Sequence, residues 1–527
     1  MSGMMGGQAL TVRTIFDRMR TVYGDNLVVD ALPGGTARTS YADLAVRVLR
    51  LVTVLRELGV EPGDRVASFA HNSSRHVELY FAVPLSGAVL HMVNIRLHDD
   101  QLEHVVADAG DTVLFVDDDL IPRLSSLRFP SVRTFLRLGK GDTPGLDEIL
   151  DAEDLLADAA PAAALPELTE DMPCGMCHTS GTTGMPKAVV YTHRSTYLHA
   201  MAACMVDALG LSEAERVLPV VPLFHACGWG LPYAAPLTGA ELVLVGSDTS
   251  PANLARVIAE EQVTWAAGVP TIWTGLLPLA AGLTSLRTIG VGGSATPRAL
   301  LDAYDALGIT ILQIWGMTET SPVAATSRPR RRHEGMSADD LLEVRAKTGT
   351  IFAGLEARIV ADDGTPLPWD GTSVGELQCR GPWVATDYWG GAPEKFQEGW
   401  LRTGDMAVME GDGYFRIVDR SKDLVKSGGE WISSVELEGA CLAHPAVREA
   451  AVIGVRSLKW DERPVVVASL TDGASLDLAE LRAFLSERVA KWWLPDHLAL
   501  VEEVAKTSVG KYDKKALRAQ LADLVLP

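Results

Sequence analysis

The stretch HTSGTTGMPKAVVYTHR, residues 178–194, gathers Ser, Thr and Gly into one short run and closes it with Pro186 and Lys187. Apolar residues flank it, MPCGMC before and AVVY after. Glycines at 181 and 184 let backbone N–H groups turn inward and approach a ligand closely. Ser180, Thr182 and Thr183 add hydroxyls and Lys187 a positive charge, a set suited to a polyphosphate. The pattern is not GxxxxGK[ST], because Pro186 separates the last glycine from the lysine. Alone, the loop reads equally well as an ordinary surface turn.

Outward from this loop, strand and helix patterns alternate. VASFA (66–70) and VLFVD (113–117) read as short buried strands. Ser40 precedes a helix with Leu44, Val48, Leu51, Leu55 and Leu58 on one face and Gly59 as its stop. RTIGVGGSATP (287–297) predicts a strand, a glycine turn and a helix starting at Pro297. ITILQIWGMTET (309–320) predicts a strand ending in a polar turn. The alternation predicts an α/β fold of mostly parallel, helix-covered sheets, with ligands at the carboxyl ends of the strands. From Gly354 the character changes to short strands, LEARIV, GELQCRG and YFRIV, which predict a β-rich subdomain. The last part reads as a small α+β unit, with Leu478, Leu481, Leu485 and Val489 on one helix before KWWLPDHL. The Ala/Pro-rich stretch 159–168 reads as a flexible connector, and the four arginines between 328 and 332 as a solvated face.

A chain of 527 residues is too long for one compact core, so two or more domains are expected. With 47 Lys and Arg against 68 Asp and Glu, the formal charge is −21. Such a chain is a poor general nucleic-acid binder, and an anionic ligand must be held by local donors. Six cysteines, at 174, 177, 204, 227, 379 and 441, are too sparse for a disulfide framework and suit a reducing compartment. The lone CxxC at Cys174 and Cys177 reads as part of a buried strand running into the loop, ahead of a redox or zinc site. The apolar run Leu79–Leu90 is interrupted by Pro84, Ser86 and Gly87 and falls short of the ~20 residues a bilayer requires. MSGMMGGQAL lacks a basic region followed by an apolar core, so a cytoplasmic protein is expected.

TSGTTGMPK resembles the phosphate loop of the adenylate-forming superfamily, which includes acyl-CoA synthetases, adenylation domains of peptide synthetases and beetle luciferases. PLFHACGW (222–229), GGSA (292–295), WGMTET (315–320), RTGD (402–405), DRSKDLVKSGGEWIS (419–433) and KTSVGKYDKK (506–515) follow in the family's order. The chain looks most like fatty-acyl or medium-chain acyl-CoA synthetases. The resemblance implies a large N-terminal domain, 1–421, and a small mobile C-terminal lid, 422–527. It implies an ATP-dependent acid–CoA ligase for a medium-chain, branched or aryl acid. Such an enzyme forms an acyl-adenylate with release of pyrophosphate and then passes the acyl group to CoA, leaving AMP. The partners expected are the acid, ATP, Mg2+, CoA and a second copy of the chain in a homodimer.

Carried over motif by motif, Thr179, Ser180, Gly181, Thr182, Thr183, Gly184 and Lys187 would hold the β- and γ-phosphates. Gly292, Gly293 and Ser294 would line the adenine side, with Trp315 stacking on the purine and Gly316 beside it. Thr318 would contact the α-phosphate and Glu319 would help to hold Mg2+. Asp405 would accept hydrogen bonds from the ribose, and Arg420 would contact the ribose or a phosphate. Lys511 would bridge the substrate carboxylate and the α-phosphate. His225, Trp229, Gly268, Pro270 and Thr271 would border the acyl pocket, His225 as a gate rather than a proton-transfer group. Lys422 would be the hinge. Lys426, Gly428, Gly429, Glu430 and Trp431 would frame the CoA tunnel when the lid swings.

Three positions depart from the family pattern: Ala188 for Gly, Asp387 for Gly and Trp315 for Tyr. None removes a catalytic group. A second reading keeps the adenylating step but changes the acceptor to a carrier-protein thiol or an amine, or the acid to a small one such as nitrite. The SGGE loop speaks against a dedicated acyl-AMP ligase. A third reading, an inactive binding protein, is opposed by the joint presence of Lys187, Glu319, Asp405, Arg420 and Lys511.

Overall fold

The structure, a computed structural model, describes residues 6–32, 35–139, 141–146, 148–179, 185–427, 430–507, 511–522 and 524–526. Two large sheets carry the body. The first runs in the spatial order Thr350–Ile351, Val323–Thr326, Thr310–Gly316, Thr288–Gly292, Trp265–Gly268, Arg216–Pro219, Glu241–Leu244, Leu27–Leu32, Gly35–Ser40. Its middle six strands are parallel, and the pairs at both edges are antiparallel. The second runs Leu150–Asp151, Thr134–Leu138, Val113–Asp117, Arg65–Phe69, Val89–Met92, Pro173–His178, Ala188–Thr192, parallel except for the last pair.

Alternate residues of each strand enter different cores, because successive side chains point to opposite faces. Val28, Leu242, Val66 and Phe115 pack in the core between the sheets, around helices Val12–Val22, Tyr41–Glu57 and Ser74–Leu85. Their neighbours Val29 and Val243 pack outward under helices Pro251–Glu260 and Arg298–Asp305. Ala67 and Leu114 pack outward against helix Asp99–Ala109. The result is five layers, helix–sheet–helix–sheet–helix. Ser40 caps its helix as the pattern predicts, accepting from the Asp43 N–H.

The β-rich subdomain is an antiparallel sheet of Glu356–Val360, Val374–Arg380, Phe396–Gln397, Trp400–Met409 and Phe415–Arg420. The C-terminal part has its own sheet, with Val447–Ser457 and Asp461–Leu470 at its centre, and its own core around Val452, Val466 and Leu481. The α/β reading with a β-rich subdomain and a smaller α+β part is the architecture observed.

Three expectations need correction or refinement. The helix read through Val489 ends at Leu485; Ser486 turns its hydroxyl back onto the Ala483 carbonyl, and Val489 packs as part of an irregular turn. The arginine run is not uniformly solvated. Arg328 donates to the carbonyls of Ala208 and Leu209 at 2.5 and 2.8 Å, while Arg330 stacks over Tyr414 and Arg332 pairs with Asp412. The 159–168 stretch is irregular but lies along helix Tyr41–Glu57, receiving hydrogen bonds from Thr53 and Arg56.

In the first sheet the strand order reverses between Arg216–Pro219 and Trp265–Gly268, and a crevice opens at their carboxyl ends. The segment leaving Arg216–Pro219 is held there by Asn72. Its amide donates to the carbonyls of Pro219 and Val221 at 2.8 and 2.9 Å and accepts from the Leu223 N–H at 2.8 Å. Substituting Asn72→Ala leaves three buried backbone groups unpaired. It is expected to lower the stability of the body by about 3 kcal/mol in urea unfolding followed by tryptophan fluorescence.

Candidate functional site

The site is assembled at the carboxyl ends of the first sheet, where four loops and the C-terminal part meet. The strand Thr310–Gly316 brings Trp315 and Gly316 to its end, turns through Thr318–Thr320, and returns as Val323–Thr326. A Cβ on Gly316 would lie 2.0 Å from the Pro322 carbonyl oxygen, so the turn closes only over glycine. Thr318 and Glu319 are buried. The Tyr191 hydroxyl donates to the Thr318 carbonyl at 2.9 Å, and the Ala385 N–H to the Glu319 carbonyl at 2.8 Å. The Tyr388 hydroxyl donates to Glu319 Oε1.

Asp405, on Trp400–Met409, is buried and faces this turn. Trp315 Nε1 donates to its Oδ2 at 2.9 Å, and Arg420 Nε pairs with its Oδ1 at 2.7 Å. The substitution of Trp for Tyr at 315 therefore supplies an N–H that orients Asp405. Each carboxylate oxygen keeps a second lone pair for a further donor.

Lys511 comes from the C-terminal part and lies against Gly293, whose Cβ position would be 3.3 Å from Lys511 Cε. Gly293 has φ +89°, a left-handed backbone that favours glycine, and the space beside it is tight. Burial pulls the Lys511 ammonium down to about 8; Arg420 pushes the same way, while Asp405 and Glu319 oppose it. Lys511, Arg420, Asp405 and Glu319 thus form one alternating charge cluster. His225 joins it: burial, with Lys511 and Arg96, holds its imidazole neutral with a pKa near about 3.

The apolar side of the crevice is made by the segment after His225. Ala226, Cys227, Gly228, Trp229 and Gly230 have φ of 37°, 44°, 52°, 52° and 74°, a left-handed turn with three residues that are not glycine. That turn presses Trp229 onto the strand Thr288–Gly292, where a Cβ on Gly292 would meet Trp229 Cη2 at 2.9 Å. Gly268 ends its strand against the Trp273 indole, and Pro270 starts the helix Pro270–Leu276, with Thr271 next to it. Ser294 follows Gly293 at the exposed rim.

The phosphate-loop expectation falls partly on Ser180–Gly184, which lie outside the described residues. The base of the loop is described. Thr179 N–H donates to the Lys187 carbonyl at 2.8 Å, and Lys187 N–H to Thr179 Oγ1 at 3.2 Å, at the tip of the hairpin Pro173–His178/Ala188–Thr192. The Lys187 ammonium sits 5.4 Å over the Tyr388 ring and 3.5 Å from Glu394. Ala188 is fully buried, and its carbonyl accepts from the Trp389 N–H at 2.9 Å. Asp387 accepts from the Ala392 N–H at 2.8 Å and so fixes the turn that carries Tyr388 and Trp389.

Lys422 lies at the junction to the C-terminal part, where its carbonyl accepts from Arg518 at 3.3 Å and Arg518 pairs with Asp423 at 2.6 Å. Lys426 stacks 4.7 Å over Trp431, which is 43% exposed, so this pair lies on the surface in the pose that buries Lys511. Gly428, Gly429 and the side chain of Glu430 lie outside the described residues. Cys174 and Cys177 are buried on one strand and unpaired as disulfides, which agrees with the structural reading of the CxxC. No helix among the described residues is long and apolar enough to cross a membrane.

Sequence reasoning missed Tyr388, Tyr191 and Asn72. Tyr388 stands inside ATDYWG, where only its neighbour Asp387 drew notice. Tyr191 stands in the stretch 178–194 but reads there only as part of the flanking AVVY, and Asn72 carries no motif.

Comparison with known proteins agrees with this geometry. The model of the AMP-binding enzyme family matches residues 16–389, and that of the AMP-binding enzyme C-terminal domain matches 436–511. The chain is 38% identical over 541 residues to the medium-chain-fatty-acid–CoA ligase of Ectopseudomonas oleovorans, covering 100% of this chain and 98% of the relative. It is 41% identical over 526 residues to the long-chain-fatty-acid–CoA ligase of Thermus thermophilus, covering 98% and 96%. Among solved structures, the anthranilate CoA ligase AuaEII in complex with anthranoyl-AMP superimposes with a TM-score of 0.88 at 26% identity, covering 98% of each chain. With these matches along nearly its whole length, the chain belongs to the AMP-binding enzyme family of adenylate-forming acyl-CoA synthetases.

Proposed function

We propose that the chain is an AMP-forming acid–CoA ligase whose first step is catalysed in the pose described here. The observation that carries this reading is the Lys511 ammonium, desolvated beside Gly293 and set among Arg420, Asp405 and Glu319. The acid's carboxylate oxygen attacks the α-phosphorus of ATP, and pyrophosphate leaves. Lys511 holds the carboxylate and the α-phosphate together and offsets the charge that develops between them. Thr318 supplies a donor to the same phosphate. Asp405, oriented by Trp315 and Arg420, takes the ribose, and Thr179–Lys187 takes the outer phosphates.

Mg2+ suits this donor set, since it binds through one or two carboxylates plus substrate phosphates. Glu319 is the buried carboxylate at the strand end and would hold it, with Tyr388 fixing one of its oxygens. When bound, the ion neutralises phosphate charge.

In the second step the CoA thiol displaces AMP from the acyl carbon. In this reading the C-terminal part pivots at Lys422, withdraws Lys511 and brings 426–431 to the site. The acid is medium-chain, branched or aryl. Trp229 packed on Gly292 supports this, because an indole there limits the depth available beside the strand end. The reading includes a cytoplasmic homodimer, which light scattering of the purified chain tests.

Lys511→Ala is expected to lower acid-dependent pyrophosphate release by about 100-fold or more, while thioester formation from supplied acyl-adenylate and CoA stays within about threefold of the native rate. Equal loss of both half-reactions overturns the two-pose assignment. Recovery of ADP instead of AMP, or pyrophosphate release without thioester when CoA is added, overturns the ligase reading. Lys511 is charged below its pKa of about 8, so kcat/KM for adenylation should fall as pH rises through that value, by about tenfold per pH unit. Lys511→Arg keeps its charge and should lose this alkaline limb. Trp315→Phe removes the donor to Asp405 and should raise KM for ATP about three- to tenfold with less effect on kcat.

A further inference from the structure

His178 is the last residue of its strand, directly before the phosphate loop, and its imidazole belongs to a buried chain that the mechanism above does not use. His91 Nδ1 lies 2.7 Å from Asp111 Oδ2, His91 Nε2 lies 2.9 Å from His178 Nδ1, and His178 Nε2 lies 3.2 Å from Asp108 Oδ2. His91 and Asp111 have no solvent exposure, and Asp108 reaches the surface.

The number of hydrogens in this chain is fixed by its ends. Both ends are carboxylates, which only accept when ionised. Two neutral imidazoles carry two N–H groups, yet three links need three hydrogens. One hydrogen beyond two neutral imidazoles and two carboxylates must therefore be present. Burial sets where it lies. Burial holds His178 neutral, at about 4, so its single N–H goes to Asp108, whose carboxyl that bond holds below its usual range. His178 Nδ1 then accepts from His91 Nε2–H. The extra proton is left to the fully buried link between His91 and Asp111. Burial raises the Asp111 carboxyl, and its Oδ1 has no partner among the described residues, both of which oppose a bare carboxylate there.

The charged and titratable groups around the chain come from each neighbouring element. Arg65 acts on Asp111 from the start of its strand, and His104 lies one helical turn before Asp108. Cys177 precedes His178 and feels His91. The chain is tied to the nucleotide side. Asp108 O accepts from Trp389 Nε1 at 3.2 Å, and Trp389 N–H donates to Ala188, the partner of His178 across the hairpin.

We propose that Asp111, His91, His178 and Asp108 form a proton-dependent clasp that positions the base of the phosphate loop, and that loss of its one shared proton as pH rises weakens nucleotide binding. The folded chain binds a proton that the unfolded side chains release above neutral pH. The clasp therefore weakens as pH rises. The clasp rests on hydrogen counting alone; only its effect on nucleotide rests on the ligase reading.

Asp108→Asn separates the two. The amide donates where the carboxylate accepted, so two neutral imidazoles complete the chain and the proton becomes unnecessary. In the native protein, Kd for ATP measured calorimetrically should rise about three- to tenfold more than in Asp108→Asn between about pH 7 and about pH 9.5, one hydrogen bond's worth. Lys511 is present in both proteins, so its titration cancels. Nitrogen-15 spectra of the histidine side chains should show His178 as the neutral Nε2–H tautomer in the native protein and as Nδ1–H in Asp108→Asn. Parallel pH dependence in the two proteins, or a His178 tautomer unchanged by the substitution, overturns the clasp. If neither protein binds ATP, the ligase reading fails while the tautomer still decides the clasp.

Discussion

A buried ammonium is tolerated only where opposite charge faces it, and Lys511 finds that charge in Asp405 and Glu319. The carboxylates belong to the body and the ammonium to the C-terminal part, so the proposed adenylation site exists only while the two are together. Much of the surrounding structure keeps those carboxylates aimed. Arg420 and the Trp315 indole hold Asp405, Tyr388 holds Glu319, and Tyr191 and Ala385 fix the backbone of the turn between them. In a chain of net charge −21, the triphosphate of the proposed reaction would have to be held by this local arrangement and not by the overall field.

The contacts that seat the C-terminal part lie close to the proposed pivot. Asp419 Oδ2 accepts from Ser434 N–H and hydroxyl, both at 2.6 Å, the Ser433 hydroxyl donates to the Val418 carbonyl at 2.6 Å, and Arg518 pairs with Asp423. Contacts near a pivot move least when the far end swings. In the proposed two-pose cycle, Lys511 and the exposed Lys426–Trp431 pair would exchange positions while this anchorage persists.

The architecture was legible because its signals are local. Helix caps, strand runs such as VLFVD and the glycine turns at 292–293 and 316 each declare themselves within a few residues. The site residues were named by motif, but their mutual support was not. Trp315 and Asp405 are 90 positions apart and Glu319 and Tyr388 are 69 apart, and no periodicity reports such pairs. Trp315 entered as a stacking residue; its N–H toward Asp405 emerges only from the fold. The His91–His178 link is hidden for the same reason, since each histidine on an apolar strand looks like isolated core. Arg328 looked solvated within a basic run, because the carbonyls of Ala208 and Leu209 that bind it belong to a distant turn.

The left-handed turn Ala226–Gly230 joins the proposed acid pocket to the proposed nucleotide shelf. Three of its residues are not glycine, and left-handed backbone costs each about 1–2 kcal/mol. The turn persists because Asn72 and the Tyr80 hydroxyl, 2.5 Å from the Leu223 carbonyl, fix the segment that enters it, and because Trp229 is buried at its end. The strain sets an indole directly on Gly292, and the next residue, Gly293, is the one that Lys511 touches. A bulkier residue at 292 would push back on Trp229 and displace the strand end beneath the lysine together. In the function proposed above, one contact would therefore set both acid shape and adenylation geometry, and the pocket could be reshaped freely only on walls other than the one it shares with the nucleotide.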